Sequence, residues 1–250
     1  MVSSLTYLYP YSAKEARDRG ELALWRASQQ ANVSCAREIE EAIRIYGDGE
    51  SGTLRPEAAR GILDRWGFKR TNFVLANTLR ESPDYGRYLS EENRDWQKGR
   101  YMPTDYENRR FAVDTAGAFL NAFIDQVREA YDALELFGPE HCQPDSFSGL
   151  DYEGKVLVLS PDVLKESYWN TRAQLWYAHD GFGCSPHAIG RSIRCTCLGD
   201  GEMTRWNRAD FIGVLKDEFL PGWAAEKLTE LRRMEQTQSE HPDMGEMTMK

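Results

Sequence analysis

The chain has 250 residues, 41% of them hydrophobic and 12% aromatic, enough to bury one large core or two small ones and too apolar for a disordered segment. Its net charge of −9 comes from 40 acids interleaved with 31 bases, which marks neither a general DNA binder nor a concentrated acidic mimic of nucleic acid. No apolar run approaches the roughly 20 residues that span a bilayer, and no basic-then-apolar leader opens the chain.

Five cysteines (Cys35, Cys142, Cys184, Cys195 and Cys197) form an odd set without a disulfide rhythm. The expected setting is therefore cytoplasmic, with no membrane partner. Ser12 followed by Glu15 fits a capping box and starts a first short helix, which Gly20 interrupts. From Glu21 a longer run begins. Trp25, Ser28, Asn32, Cys35, Ile39, Ile43 and Tyr46 recur every three or four residues and draw one helical stripe. Gly47, Asp48 and Gly49 end it, with glycine expected in the left-handed position beyond the helix. The stripe is half polar, so this helix is expected to pack against others.

Pro56 suits the first turn of a third helix, whose apolar face is Ala58, Ile62, Leu63 and Trp66. Gly67, Phe68 and Lys69 break it, and Arg70 to Arg80 resumes helical spacing. One reading is a helix-turn-helix with Arg70, Thr71, Asn72 and Asn77 facing DNA. The other is a helical hairpin packed on the first helix, favoured because the second arm has few basic residues. Residues 82–109 are polar and turn-rich, with Ser90 placed to cap a short helix running to Trp96. Tyr85, Tyr88, Trp96, Tyr101 and Tyr106 form either a recognition surface or, by preference, a cover over the helical core. Asn108 to Phe137 reads as a long helix along Phe111, Thr115, Ala118, Phe119, Ala122, Val127, Ala130, Tyr131 and Leu134, stopped by Gly138-Pro139. Gly117, among small residues, would let a partner helix come close.

Composition changes at residues 138–155, which are rich in Gly, Pro and Ser and nearly free of aliphatics. Beyond them the period switches towards two. Val156 to Leu159 and Gln174 to Ala178 read as strands, and Gly181 to Pro186 as an irregular loop. A hairpin joins Arg191–Leu198 to Met203–Arg208. With Asp200 and Gly201 as the two turn residues, Cys197 opposes Thr204, Cys195 opposes Trp206 and Ile193 opposes Arg208. Ala209 to Leu215 turns into a helix or a short closing strand, and Trp223 to Gln236 is a last helix. The expected fold is α+β: a helical domain over 1–138, a linker over 139–154 and a small antiparallel β-rich domain over 155–222. A C-terminal helix over 223–238 and a flexible tail over 239–250 follow.

The stretch YPYSAKEARDRGELALWRASQQANVSCAREIEEAIRIY, residues 9–46, resembles DUF3849, an N-terminal domain of unknown function found in proteins of bacterial mobile elements. The second half, from EGKVLVLSPDVLK through GFGCSP to LGDGEMTRWNRADFIGVL, resembles a small domain recurring at the ends of such element proteins. The resemblance implies a setting and no chemistry.

Chemistry has three candidate groups. His179, Cys184, His187, Cys195 and Cys197 crowd together and include zinc's preferred ligand types. No Cys-x-x-Cys spacing occurs, however, and Cys195 and Cys197 share a strand face expected as core, so buried cysteines and surface histidines are the plainer reading. Cys184, in a glycine loop near His179 and His187, is the one candidate nucleophile. Arg191, Arg194, Arg205 and Arg208, with Trp206 among them, make the one local basic cluster. Backbone phosphates could lie along it, but the favoured reading is a solvated sheet face whose arginines pair with Asp200, Glu202 or Asp210. No phosphate-cradling glycine motif occurs and no cofactor is expected.

These readings favour a non-enzymatic accessory protein of a mobile element that binds a host or element-encoded macromolecule. Its expected role is inhibition of a host defence nuclease, in the manner of an anti-CRISPR. Seven Trp, twelve Tyr and many Arg suit an interface, and the acidic balance suits a basic, nucleic-acid-handling partner. The alternatives are a nucleic-acid-binding module serving the element's own DNA processing, and an enzyme of unknown type using Cys184 or a zinc site.

Overall fold

The computed structural model describes residues 7–98, 111–144 and 149–240. The chain divides into two compact units, Met1–Leu134 and Glu135–Lys250.

The first unit is helical. α1 (Ala13–Asp18) opens with the expected capping box, in which Ser12 and Glu15 satisfy each other's main-chain N–H groups. α2 (Leu22–Tyr46) buries Ser28, Asn32, Cys35, Ala36, Ile39, Ala42 and Ile43, the half-polar stripe anticipated from spacing. Its end differs from expectation. Gly47 has φ −81°, an ordinary extended conformation, and starts a two-residue ladder of β1 (Gly47–Asp48) with β2 (Thr53–Leu54). Glycine is needed there for closeness, since a Cβ would lie 2.6 Å from the Ile43 carbonyl and 3.1 Å from the Phe119 ring.

α3 (Glu57–Glu81) is bent at Gly67, whose φ of 74° and ψ of 170° only glycine adopts cheaply. Past the bend Arg70, Thr71, Asn72 and Asn77 are all buried, so the face proposed for DNA is an internal one. The Arg70 guanidinium donates to the main-chain carbonyls of Ser28 and Tyr7 and to the Asn32 side-chain oxygen. A charge taken out of water needs such partners, and these tie α3, α2 and the entering chain together. Tyr9 is strapped down beside them, its N–H donating to Ser28 Oγ and its hydroxyl to Glu21.

α4 (Glu91–Lys98) begins at Ser90, whose hydroxyl accepts from the Asn93 N–H as expected. α5 (Gly117–Asp132) is shorter than its apolar period suggested. Phe111 and Val113 are buried ahead of it, outside any α-helix, and tied to α3 by the Val113 N–H on Thr78 Oγ1. The expected start, 108–110, lies outside the described residues. The helix stops before Glu135, which takes a left-handed φ of 50°, rather than at Gly138. Its buried face is Leu120, Phe123, Ile124 and Val127, rotated from the stripe through Ala118, Ala122 and Ala130. Alanines fit either face, so they misplaced the stripe. Gly117 lies directly under the Tyr88 ring, at the end of a 3-10 turn over Pro83–Tyr88, and not under a second α-helix.

The second unit is a five-stranded antiparallel sheet in the order β6-β5-β4-β3-β7. Its strands are β3 (Val156–Leu159), β4 (Leu175–Asp180), β5 (Ser192–Cys197), β6 (Met203–Asn207) and β7 (Phe211–Val214). A short helix α6 (Thr171–Gln174) leads into β4 and takes up Gln174, expected in the strand itself. α7 (Gly222–Glu240) packs Ala224 and Leu228 on Val156, Val158, Leu175 and Tyr177, and takes in the first residues expected as tail. The other face, Leu157, Leu159, Trp176, Ala178, Ile193, Cys195 and Cys197, is covered by loop residues Tyr152, Leu164 and Cys184. A strand covered on both sides needs four apolar residues in a row, and β3 supplies them. Part of the segment expected as linker, 139–154, belongs to this unit. Cys142 bridges to Leu215 and the Gln143 N–H donates to the Val214 carbonyl.

The β5–β6 hairpin is present, but its register is two residues from the expected one. Cys195 opposes Thr204, Arg194 opposes Arg205 and Ile193 opposes Trp206. The turn is longer because Leu198 leaves the hairpin to bond the Leu175 carbonyl of β4 and bury its side chain under α7. A shift of two preserves which residues share a face, so the core side was read correctly and the opposing pairs were not.

Replacing Arg70 by Ala strands two main-chain carbonyls and Asn32 in the interior. The expected loss is about 3 kcal/mol of unfolding free energy, read as a lower urea midpoint with unchanged slope.

Candidate functional site

The sheet separates His179 from Cys184, Cys195 and Cys197. His179 is the extra residue of a bulge in β4, between Ala178 opposite Cys195 and Asp180 opposite Arg194. Its ring lies on the α7 side, with Nδ1 2.6 Å from Glu235 Oε1 and Nε2 2.7 Å from Thr196 Oγ1. The Tyr177 hydroxyl donates to the other Glu235 oxygen. Cys184 is buried in the core of the opposite face, and His187 is exposed on its loop. Among the described residues no three His, Cys, Asp or Glu side chains converge as a metal site. The zinc grouping of His179, Cys184 and His187 is thus not assembled, and among the described residues neither imidazole is hydrogen-bonded to Cys184. Burial and the nearby carboxylates of Glu153 and Asp151 push the Cys184 thiol up to about 11, the reverse of an activated nucleophile.

The basic cluster disperses as well. Arg208 donates to the carbonyls of Gly183, Cys184 and Leu150 and lies 3.6 Å from the Tyr152 ring centroid. It holds the glycine loop on the domain. That loop is glycine-rich because it runs against β5: a Cβ on Gly183 would sit 2.2 Å from the Arg191 carbonyl. Arg194 pairs with Asp180, not with Asp200, Glu202 or Asp210. Trp206 packs edge-on against Trp176. Arg191 and Arg205 remain exposed.

Of the aromatic set, Tyr85 and Trp96 pack against the helical core, as the preferred reading had it. Tyr88 is 55% exposed while covering Gly117. Tyr101 and Tyr106 lie outside the described residues.

A cleft of about 600 Å³ opens in the first unit between the end of α2, the β1 strand and the start of α5. Ile43, Gly47 and Phe119 give it an apolar lining, and Arg37, Glu40, Glu41, Arg44 and Asp114 give it charge. Arg44 is bound to Glu41, and Glu40 accepts the Asp114 main-chain N–H at 2.8 Å. The exposed Asp114 carboxylate and Arg37 have no ion pair among the described residues. None of these charged residues stood out in the sequence. Arg37, Glu40, Glu41 and Arg44 look like any solvated polar face of a helix, and Asp114 reaches them only through the packing of α5.

The cleft lies inside the part of the chain that has relatives. Residues 8–132, half of the chain, match the family described as protein of unknown function (DUF3849), and the chain belongs to that family. No curated protein and no solved structure matches it.

All five cysteines are free and buried. Burial pushes Cys35 and Cys195 up to about 12, and Cys142, Cys184 and Cys197 up to about 11. Unfolded thiols ionise near pH 8.5 while the folded ones keep their protons, so stability is full below about pH 8.5 and falls as pH rises towards 11. Urea midpoints measured across that range will decline. At about pH 8 a disulfide reagent should leave the native thiols largely unmodified and label all five in urea. Rapid native labelling would contradict the burial of Cys184.

Proposed function

We propose that this protein is a non-enzymatic accessory protein of a bacterial mobile element that binds a basic, nucleic-acid-handling host protein and inhibits a defence nuclease, in the manner of an anti-CRISPR. The α2–α5 cleft is the observation that carries the binding reading. It has the size of a pocket that accepts one or two side chains, an apolar lining for an anchor, and three carboxylates against two guanidiniums. One of those guanidiniums is already held by Glu41. An apolar anchor flanked by lysine or arginine suits that balance. The overall charge of −9 acts in the same direction by drawing a basic partner into encounter. The element setting rests on the resemblance of both halves to domains of such proteins.

The second reading, a nucleic-acid-binding module for the element's own DNA, is weakened by where the arginines went. Arg208 is spent on three carbonyls and Arg194 on Asp180, which leaves Arg191 and Arg205 for phosphates. Two contacts give little affinity at physiological salt.

The test is nuclease protection with a panel of RNA-guided nucleases and restriction enzymes. At least one should be inhibited, and Asp114→Lys should weaken inhibition about tenfold while leaving the main-chain bond to Glu40 in place. If no enzyme in the panel is inhibited and the protein shifts DNA unaided in a salt-sensitive way, the inhibitor reading is wrong.

A further inference from the structure

We propose that the outer edge of β6 is a docking site for an extended acidic segment of a partner protein, added as a sixth strand. The sheet has two edges and treats them differently. At β7 the chain covers its own edge through the Cys142–Leu215 bridge and the bond from Gln143 to Val214. At β6 no strand lies beyond, among the described residues. The bonds from Cys197 N–H to Glu202 O and from Arg208 N–H to Arg191 O set the phase of the β5–β6 ladder. In that phase Thr204 and Trp206 face β5 with their main-chain groups, while those of Met203, Arg205 and Asn207 face outward. The Asn207 N–H is taken by Asp210 Oδ2, which leaves Met203 and Arg205 as the open rungs.

Charge selects the occupant. Asp180, Arg194 and Arg205 stand opposite one another across β4, β5 and β6. Asp180 binds Arg194, so Arg205 is the outermost group of a row that reads minus, plus, plus. It is exposed and has no hydrogen bond or ion pair among the described residues. Opposite-charge pairs stabilise directly opposed positions and like charges destabilise them, so a carboxylate opposite Arg205 completes the row. The same rule disfavours a second copy of this chain, which would bring β6 and its arginine against themselves. Main-chain bonds would supply the affinity and the Arg205 row the selectivity, as in other strand additions. This inference concerns the second unit and does not rest on the inhibitor reading.

The test is selection of a displayed library of random ten-residue peptides on the full-length protein, with Arg205→Pro and Arg205→Glu as counter-targets. Proline at 205 removes an outward N–H that the fold does not use, so the sheet should persist while the edge is blocked. Peptides enriched on the natural protein should alternate β-branched residues with Asp or Glu. They should bind Arg205→Pro at least tenfold more weakly, and they should protect the Met203 and Arg205 amides from hydrogen exchange. Against Arg205→Glu the enriched acid should change to Lys or Arg, a result independent of how well the proline variant folds. Peptides without an acid preference, equal binding to Arg205→Pro, or unprotected Met203 and Arg205 amides would overturn the proposal. So would a homodimer that Arg205→Pro dissolves.

Discussion

The buried guanidinium of Arg70 is the constraint from which the helical unit is built. A permanent charge can be sequestered only where fixed oxygen acceptors meet it, and those acceptors come from three places in the chain: Tyr7, Ser28 and Asn32. Two consequences follow for the rest of the unit. The interior face of α2 has to be polar over its first half, which is why Ser28 and Asn32 interrupt an otherwise apolar stripe. The chain also has to bend at Gly67, which redirects the helix so that Arg70, Asn72 and Asn77 face inward. Packing of the apolar half, Ile39, Ile43, Trp66, Phe73 and Phe123, then places α5 against α3 and leaves the cleft beside Phe119.

The second unit uses the same device with a different target. Arg208 gathers three main-chain carbonyls from the loops around Cys184 and rests on Tyr152. Loops on a sheet carry many carbonyl groups without ladder partners, and a five-donor fork answers several at once. The glycines of that loop allow it to lie within contact distance of β5, and Arg208 keeps it there. Cys184 is sealed beneath as a small apolar group. Arg70 and Arg208, each among the residues considered for nucleic acid, thus serve the protein's own backbone. Among the described residues, a mixed-charge cleft in the family domain and an open strand edge in the second unit stay at the surface.

Much of the architecture was legible in the sequence. The capping box at Ser12, the stripe of α2, the break at Gly67, the cap at Ser90, the apolar run of β3 and the hairpin around Gly201 are local signals, written in spacing and turn chemistry over a few residues. The change of period near residue 138 likewise separates helices from strands without reference to contacts. Faces were legible wherever β-branched or large residues marked them. They failed on α5, where alanine suits either side.

Tertiary structure alone decided what each polar residue does, because a side chain's role depends on what packs against it. Arg70 and Arg208 read as surface charge and are internal fasteners. His179 and Cys184, five positions apart, fall on opposite faces because strand alternation carries the imidazole, two residues after Tyr177, to the α7 side while the loop carries the thiol into the other core. The hairpin register moved by two because Leu198 gains more under α7, paired to Leu175, than it would opposite β6. The cleft joins Arg37 to Asp114 across a sequence separation that no periodicity spans. Local pattern fixes the elements, and burial against distant partners assigns their chemistry.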